Sequence, residues 1–591
     1  MIHNALRTKT YLILTSFILT IVCSFFWGFY FPHSVLASVD YKLGLRQLKY
    51  RMGYRSFGQY TLHQAGDRFA EKYPLRDYRS AVLHSEGEYP QPAHPPIRYY
   101  TQPGDSLKAV ASRFGLHPDE ISSPYLLQED GLLTPGQLLL LPPRVEEMRA
   151  NHELIKMPRF MPDSEVVYGP SAADFDVTQY LGKTDGYLAQ HREYLGTTSW
   201  TPAADIVTRI ALENSINPRL LLALMEYECG CILGDSTGKL AEGYVLGVEQ
   251  YEHQWLYGQL GWAANELSKG YYGWRSGSLT EIRLPNGIIL RPAPDSNAGS
   301  VAILYYFTSL ATQKSIQKIP VMQRPLKDTI PVDDSWRTAL DEQYGFLNLY
   351  QRMFGDPFSR SEAVGPLFPD GLEAPELQLP FEPGYVWSYT SGPHKAWQTE
   401  GALAALDFAP SSKRSGCEFS HAWVVAAADG VVTRTGDGYV IQDLDSSAYP
   451  GSDPASDMNE FTGWALLYMH IRDEEKVSEG AHLEAGDPIG HPSCEGGPAT
   501  GTHLHFARKY NGEWIAADGS LPLILSGWRV HAGRAPYEGT LTKDQQTVVA
   551  HPWGSYDTLV WIPADGNPPI PTQITPSHTR QDEGEPKDKF D

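Results

Sequence analysis

The sequence predicts a multidomain protein: a small β-α-α-β module, a mainly helical middle domain and a C-terminal antiparallel all-β domain. Three observations predict it. Residues 98–143 hold short apolar runs around one stretch of helical period. From 160 to 350 apolar residues recur at helical spacing. From 379 to 541 the chain breaks into short β-like runs separated by Gly and Asp turns. A chain of 591 residues is long enough for several separate cores. Acidic residues outnumber basic ones 70 to 48, a formal charge of −22. That balance argues against a nucleic-acid partner, because phosphate binding relies on clustered Lys and Arg.

The N-terminal segment, 1–38, reads as a signal peptide or membrane anchor. Arg7 and Lys9 precede Tyr11 to Phe31, twenty-one residues without a charge. This length fits a bilayer span, and basic residues before it keep the start inside. Val35, Leu36 and Ala37 also form a small-residue cleavage pattern before Ser38. Either way, the rest of the chain is expected in the cell envelope or outside the cell, with N-terminal membrane association if the segment stays. Residues 39–97 form a linker region that ends in the Pro-rich "YPQPAHPP".

The module at 98–143 has a short strand leading into Pro103-Gly104-Asp105. Ser106 caps a helix carrying Leu107, Val110, Ala111 and Phe114 at helical spacing. A second short helix and a Leu-rich strand follow. The "PGDSL" entry, "ASRFG" helix and "LTPGQLLLLPP" exit closely resemble a LysM module. The resemblance implies a β-α-α-β fold that binds N-acetylglucosamine-containing glycan.

In the helical domain, 160–350, "NPRLLLALMEYECG" has Asn217 as a cap and Pro218 at the first helical position. Its leucines occupy every face, so this helix is expected to be buried. Glu228-Cys229-Gly230 ends it. The region vaguely resembles the lysozyme-like fold of lytic transglycosylases, whose buried helix ends in a catalytic glutamate. That resemblance makes Glu228 a candidate general acid, since a desolvated carboxyl has a raised pKa. The other reading of Glu228 is a scaffold residue. Cys229 and Cys231 look too close in sequence to pair easily with each other. Residues 351–378, rich in Pro, Gly and Glu, read as a linker, and 566–591 as a disordered tail.

The all-β domain, 379–541, carries the chemistry. "GTHLHF" places His503 and His505 on one face of a strand, because side chains alternate. Two histidines alone do not make a metal site, which needs three or four converging ligands. Asp407 lies in the apolar "AALDFAP", where an unpaired carboxylate is costly. His394, thirteen residues upstream, sits in "SGPHKAW". A His394, Asp407 and His505 set suits tetrahedral zinc with water in the fourth position. His470 ends the strand "WALLYMHI", and it and His503 can face the same centre. Asp429-Gly430 and Gly436-Asp437-Gly438 give hairpin signals. Cys417 and Cys494 could pair in an oxidising compartment.

The pieces "GPH", "ALDFAP", "AAADGVV", "LLYMHI", "HPSCEGG" and "GTHLHF" resemble the lysostaphin/LytM-type zinc endopeptidases, most closely their β-lytic branch. The resemblance implies that His394, Asp407 and His505 ligate zinc while His470 and His503 assist catalysis. Much of that family places its first histidine four residues before the aspartate, where this chain has Leu403. The longer interval of the β-lytic branch accommodates His394, and His421 is the alternative. The resemblance implies an exported cell-wall hydrolase that cleaves peptide bonds in peptidoglycan, with LysM targeting it to glycan. Two other readings are a non-enzymatic wall-binding regulator of another hydrolase and a bifunctional enzyme that also cuts glycan strands through Glu228.

Overall fold

The computed structural model describes residues 95–564, apart from 129, 146–153, 156–158, 235–241, 320–329, 398, 412–415 and 445–458. The expected N-terminal segment, the first linker up to residue 94 and the expected tail lie outside the described residues. Among those described, no helix is long and apolar enough to cross a membrane.

The first module pairs β1 (Ile97–Tyr100) antiparallel with β2 (Leu138–Leu141) across α1 (Leu107–Arg113). Ser106 caps α1 by accepting from the Ala109 amide. The second helix of the expectation is a single 3-10 turn, Pro118–Glu120. Its own core gathers Tyr99, Leu107, Val110, Phe114, Leu139 and Leu141. Arg113 is buried between Asp105, at 2.7 Å, and the Trp274 carbonyl of the helical domain.

The helical domain is built on α2 (Ala203–Asn214), α3 (Pro218–Cys229), α4 (Trp255–Ser276) and α5 (Ala298–Gln317). The Asn217 side chain caps α3 by accepting from the Arg219 amide, and Pro218 occupies its first position. Every residue from Leu220 to Met225 is buried, as the all-round leucine pattern requires. Gly230 ends α3 with φ +60°, in the left-handed region that favours glycine. This reversal brings the Cys229 and Cys231 Cα atoms to 5.2 Å, and the two form a disulfide, contrary to the expectation from their spacing.

Helical structure runs past residue 350. α6 (Phe346–Phe354) buries Phe346 and Tyr350. α7 (Pro357–Val364) starts with the Asp356 carboxylate accepting from the Phe358 and Ser359 amides. The stretch expected as linker at 351–378 therefore begins as two helices. The Asp356-Pro357 start signal outweighs the Pro and Gly content there. The remainder anchors Leu367 and Phe368 in the core.

The C-terminal domain is one large antiparallel sheet with a smaller one beside it. The large sheet uses β3 (Val386–Lys395), β4 (Leu403–Pro410), β5 (Gly430–Gly436), β6 (Tyr439–Asp443), β7 (Trp464–Met469), β8 (His482–Leu483), β9 (Leu504–Tyr510) and β10 (Glu513–Trp514). The four-stranded sheet is β11 (Ile524–Leu525), β12 (Trp528–Ala532), β13 (Gly539–Lys543) and β14 (Gln546–Val549). β15 (Leu559–Trp561) returns to β3, so the large sheet extends past residue 541. Its order is β8-β5-β6-β7-β9-β4-β3-β15, with β10 paired on β9. The Gly436-Asp437-Gly438 turn does join a hairpin, β5–β6. Asp429-Gly430 does not: Val424–Val425 before it pairs with Pro488–Gly490 instead.

The domains meet through buried charge. Arg275 of α4 holds Glu513 of β10 at 2.9 Å, Asp163 at 2.9 Å and the Pro103 carbonyl at 2.8 Å. The Tyr271 hydroxyl donates to Glu513 at 2.6 Å, and the Tyr272 hydroxyl accepts from the Trp514 amide. One guanidinium thus ties the first module, the helical domain and the main sheet together.

Candidate metal centre

β9 lies between β7 and β4, in the middle of the large sheet. Its register sets His505 opposite Asp407 on β4 and opposite Met469, the residue before His470, on β7. β3 slips register against β4 between Ser391 and His394, so His394 pairs with Ala405. This irregularity aims the His394 side chain at its partners across the sheet.

Three side-chain atoms converge. His394 Nε2 lies 3.0 Å from His505 Nδ1 and 3.3 Å from Asp407 Oδ1, and His505 Nδ1 lies 3.1 Å from Asp407 Oδ1. The outer nitrogens are already committed. His394 Nδ1–H donates to the Gly392 carbonyl at 2.9 Å, and His505 Nε2–H to the Ala396 carbonyl at 2.8 Å. These bonds fix tautomers that turn two lone pairs toward the carboxylate. With both imidazoles neutral, the centre holds three acceptors and no donor. A buried arrangement of that kind requires a cation. Tetrahedral zinc with bonds of ~2.0–2.1 Å spaces its ligands roughly 3.3 Å apart, which suits these separations. Among the described residues, these three are the group of acidic, His or Cys side chains able to hold a metal ion.

The electrostatics agree. Burial pushes the Asp407 carboxyl up, but His394 and His505 beside it hold it well below the usual carboxylate range. Burial also pushes His394 down, yet the Asp407 carboxylate overrides it and raises it. His505 goes the other way, lowered by burial despite Asp407. In both imidazoles the Asp407 carboxylate favours positive charge and burial opposes it.

His470 and His503 stand beside this group, their rings 4.3 Å apart. His470 Nδ1–H donates to the Glu495 carbonyl at 2.8 Å, and His503 Nδ1–H to the Gly501 carbonyl at 2.7 Å. Both present Nε2, and that of His503 is 3.9 Å from Asp407 Oδ1. His470 has φ +63°, a strained conformation for a residue with a bulky side chain. Its neighbours hold it there: the Ser493 amide donates to the His470 carbonyl and the Ile471 amide to the Gly438 carbonyl. Burial lowers His470 to about 3, so it stays neutral. Cys417 and Cys494 form a disulfide with Cα atoms 5.7 Å apart. It fastens the 416–418 segment to the loop that carries the Glu495 carbonyl.

The remaining candidates are elsewhere. His421 packs edge-on against Phe419 and is outside the converging set. Glu228 is the anionic half of an ion pair with Lys314 of α5. Two kinds of contact escaped the sequence. The four backbone carbonyls that orient the imidazoles leave no mark in residue types. Tyr537 stacks on His394 at 4.6 Å, from a loop too distant in sequence to be linked with it.

Comparison with known proteins bears on this geometry. Residues 159–365 match the family described as LasA, N-terminal domain, and residues 416–517 match peptidase family M23. Protease LasA of Pseudomonas aeruginosa is 24% identical over 393 residues, 64% of this chain and 79% of that protein. Beta-lytic metalloendopeptidase of Achromobacter lyticus is 25% identical over 177 residues, 29% of this chain and 41% of that protein. The solved structure of the deep-sea M23 metalloprotease pseudoalterin shares 24% identity, covers 29% of this chain and 94% of its own, and has a TM-score of 0.24. The helical region that resembled a lytic transglycosylase thus matches a LasA-type domain instead. The chain is a metallopeptidase: its all-β domain carries the match to peptidase family M23, and the relatives it resembles are named as proteases and metalloendopeptidases.

Proposed function

We propose that the chain is an exported bacterial cell-wall hydrolase, a zinc endopeptidase that cleaves peptide bonds in peptidoglycan. The observation that carries this reading is the convergence of His394, Asp407 and His505, each imidazole oriented by a backbone carbonyl, next to two further histidines. The three would hold zinc, which when bound acidifies a water to give a nucleophile near neutral pH and polarises a carbonyl. The chain's own residues manage the protons. His470 and His503 both keep a proton on Nδ1, pinned to a carbonyl, and so both offer Nε2. In the neutral form that nitrogen accepts the proton of an attacking water. Once protonated, it donates to the developing oxyanion and then to the leaving amine. His503 takes the first step in this reading, because burial lowers His470 to about 3 and makes it a poor proton acceptor. The products are a free amine and a carboxylate.

The peptidoglycan substrate is supported by the relatives' type and by the LysM-like module. We assign that module to N-acetylglucosamine-containing glycan, where it raises the enzyme's effective concentration on the wall. The test is digestion of purified peptidoglycan by the full chain, followed by analysis of the released fragments. New amino and carboxyl ends, lost on chelation and restored by zinc, support the reading. Intact peptides with zinc present would contradict it.

A further inference from the structure

We infer that the helical domain is a working part of the metal centre: Asn265 and Lys269 of α4 are positioning residues for His505. This rests on the zinc reading above. The link runs through the turn between β3 and β4. Ala396 in that turn supplies the carbonyl that receives His505 Nε2–H. That bond fixes which nitrogen of His505 faces His394 and Asp407, and outer partners of this kind tune metal affinity.

The ends of the turn are fixed by the Lys395–Leu403 pair and Trp397 packs on Tyr439 of β6, but its Glu400 side is held by the helical domain. The Glu400 amide donates to the Asn265 side-chain oxygen at 3.1 Å. The Glu400 carboxylate lies 3.6 Å from Lys269 Nζ on one side and 3.6 Å from Lys395 Nζ on the other. Lys395, the neighbour of Ala396, also donates to the Gly401 carbonyl at 2.9 Å. Gly401 has φ +128°, out of reach for most side chains, and lies against the Tyr272 ring. Asn214, Ser268 and Tyr272 face Ala396 and Trp397 directly across a gap of about 10 Å³, too small for more than one water. The turn is therefore clamped between the helical domain and its own lysine. The carbonyl that orients His505 therefore owes part of its position to that clamp, beside the strand pair at Lys395 and the Trp397–Tyr439 contact.

Zinc affinity of the full chain, measured by competition with a chromophoric chelator, tests this. Loss of an outer partner typically weakens metal affinity about 10–100-fold, and Asn265 acts one contact further out. Asn265→Ala is expected to weaken zinc about 3–10-fold with its unfolding temperature close to wild type, and Lys269→Ala less. Asn265→Asp keeps the acceptor for the Glu400 amide and should restore wild-type affinity. Unchanged affinity in both alanine variants would overturn the inference. So would weakening that Asn265→Asp fails to restore, or that simply follows a fall in unfolding temperature. A wild-type chain that binds no zinc would instead sink the zinc reading, and this inference with it.

Discussion

The two carboxylates that the sequence singles out, Asp407 as a metal ligand and Glu228 as a general acid, stand in different surroundings. Asp407 is met by two imidazoles within 3.3 Å, whose outer nitrogens are held by carbonyls, with two more histidines behind them. Glu228 is met by the ammonium of Lys314. Both carboxylates are buried or nearly so. Burial alone therefore does not mark a functional carboxylate; the partners decide. A set of acceptors with no donor among them calls for a cation from outside, whereas an acid facing a lysine already has one.

The largest effect is expected at the two histidines outside the converging set. His470→Ala and His503→Ala should each lower peptide cleavage about 10²–10⁴-fold while zinc stays bound. Steady-state rates alongside metal analysis separate this from site collapse. If either variant lost zinc as well, that histidine would be a ligand and the division between three ligands and two proton carriers would be wrong.

Next in size is the joint between domains. Glu513→Gln leaves Arg275 buried with one acid fewer, and breaking such a pair costs about 3–5 kcal/mol. Denaturant unfolding should show a loss of that order. A change under 1 kcal/mol would mean that Asp163 alone satisfies Arg275.

A pH effect follows from Glu460. Burial raises its carboxyl, but Arg434 and Lys509 lower it to about 2. A folded-state value below the unfolded one gives stability that is present above about pH 4.5 and lost as pH falls toward 2. Glu460→Gln should flatten stability between these values. An unchanged acid limb in that variant would assign the loss to other carboxylates.

The smallest effect is expected at the other carboxylate. Glu228→Gln should leave peptide cleavage unchanged and lower stability by about 1–2 kcal/mol, the scale of a hydrogen-bonded charged group. Glycosidic cuts that disappear in this variant would restore a second activity and erase the contrast.

The candidate centre was legible as a cluster because strand alternation puts His503 and His505 on one side, and because Asp407 in an apolar run asks for a cation. The long interval to His394 was readable too, though the register slip in β3 that brings its side chain to His505 was not. The ion pair of Glu228 was not legible, because its partner lies on another helix, 86 positions away, and no local pattern reports such a contact. The helix at Pro357 shows the opposite case. Its Asp-Pro start signal was present, but the Pro and Gly around it outweighed the signal in a reading by composition. The return of β15 to β3 lay beyond local reasoning too, since long-range strand pairing leaves no short-range trace.

The most direct test of the account is the zinc content of the purified full chain, wild type against His394→Ala. The account predicts one zinc per chain in the wild type and loss of the metal, with peptide cleavage, in the variant. Zinc that remains in His394→Ala, or none in the wild type, would contradict it.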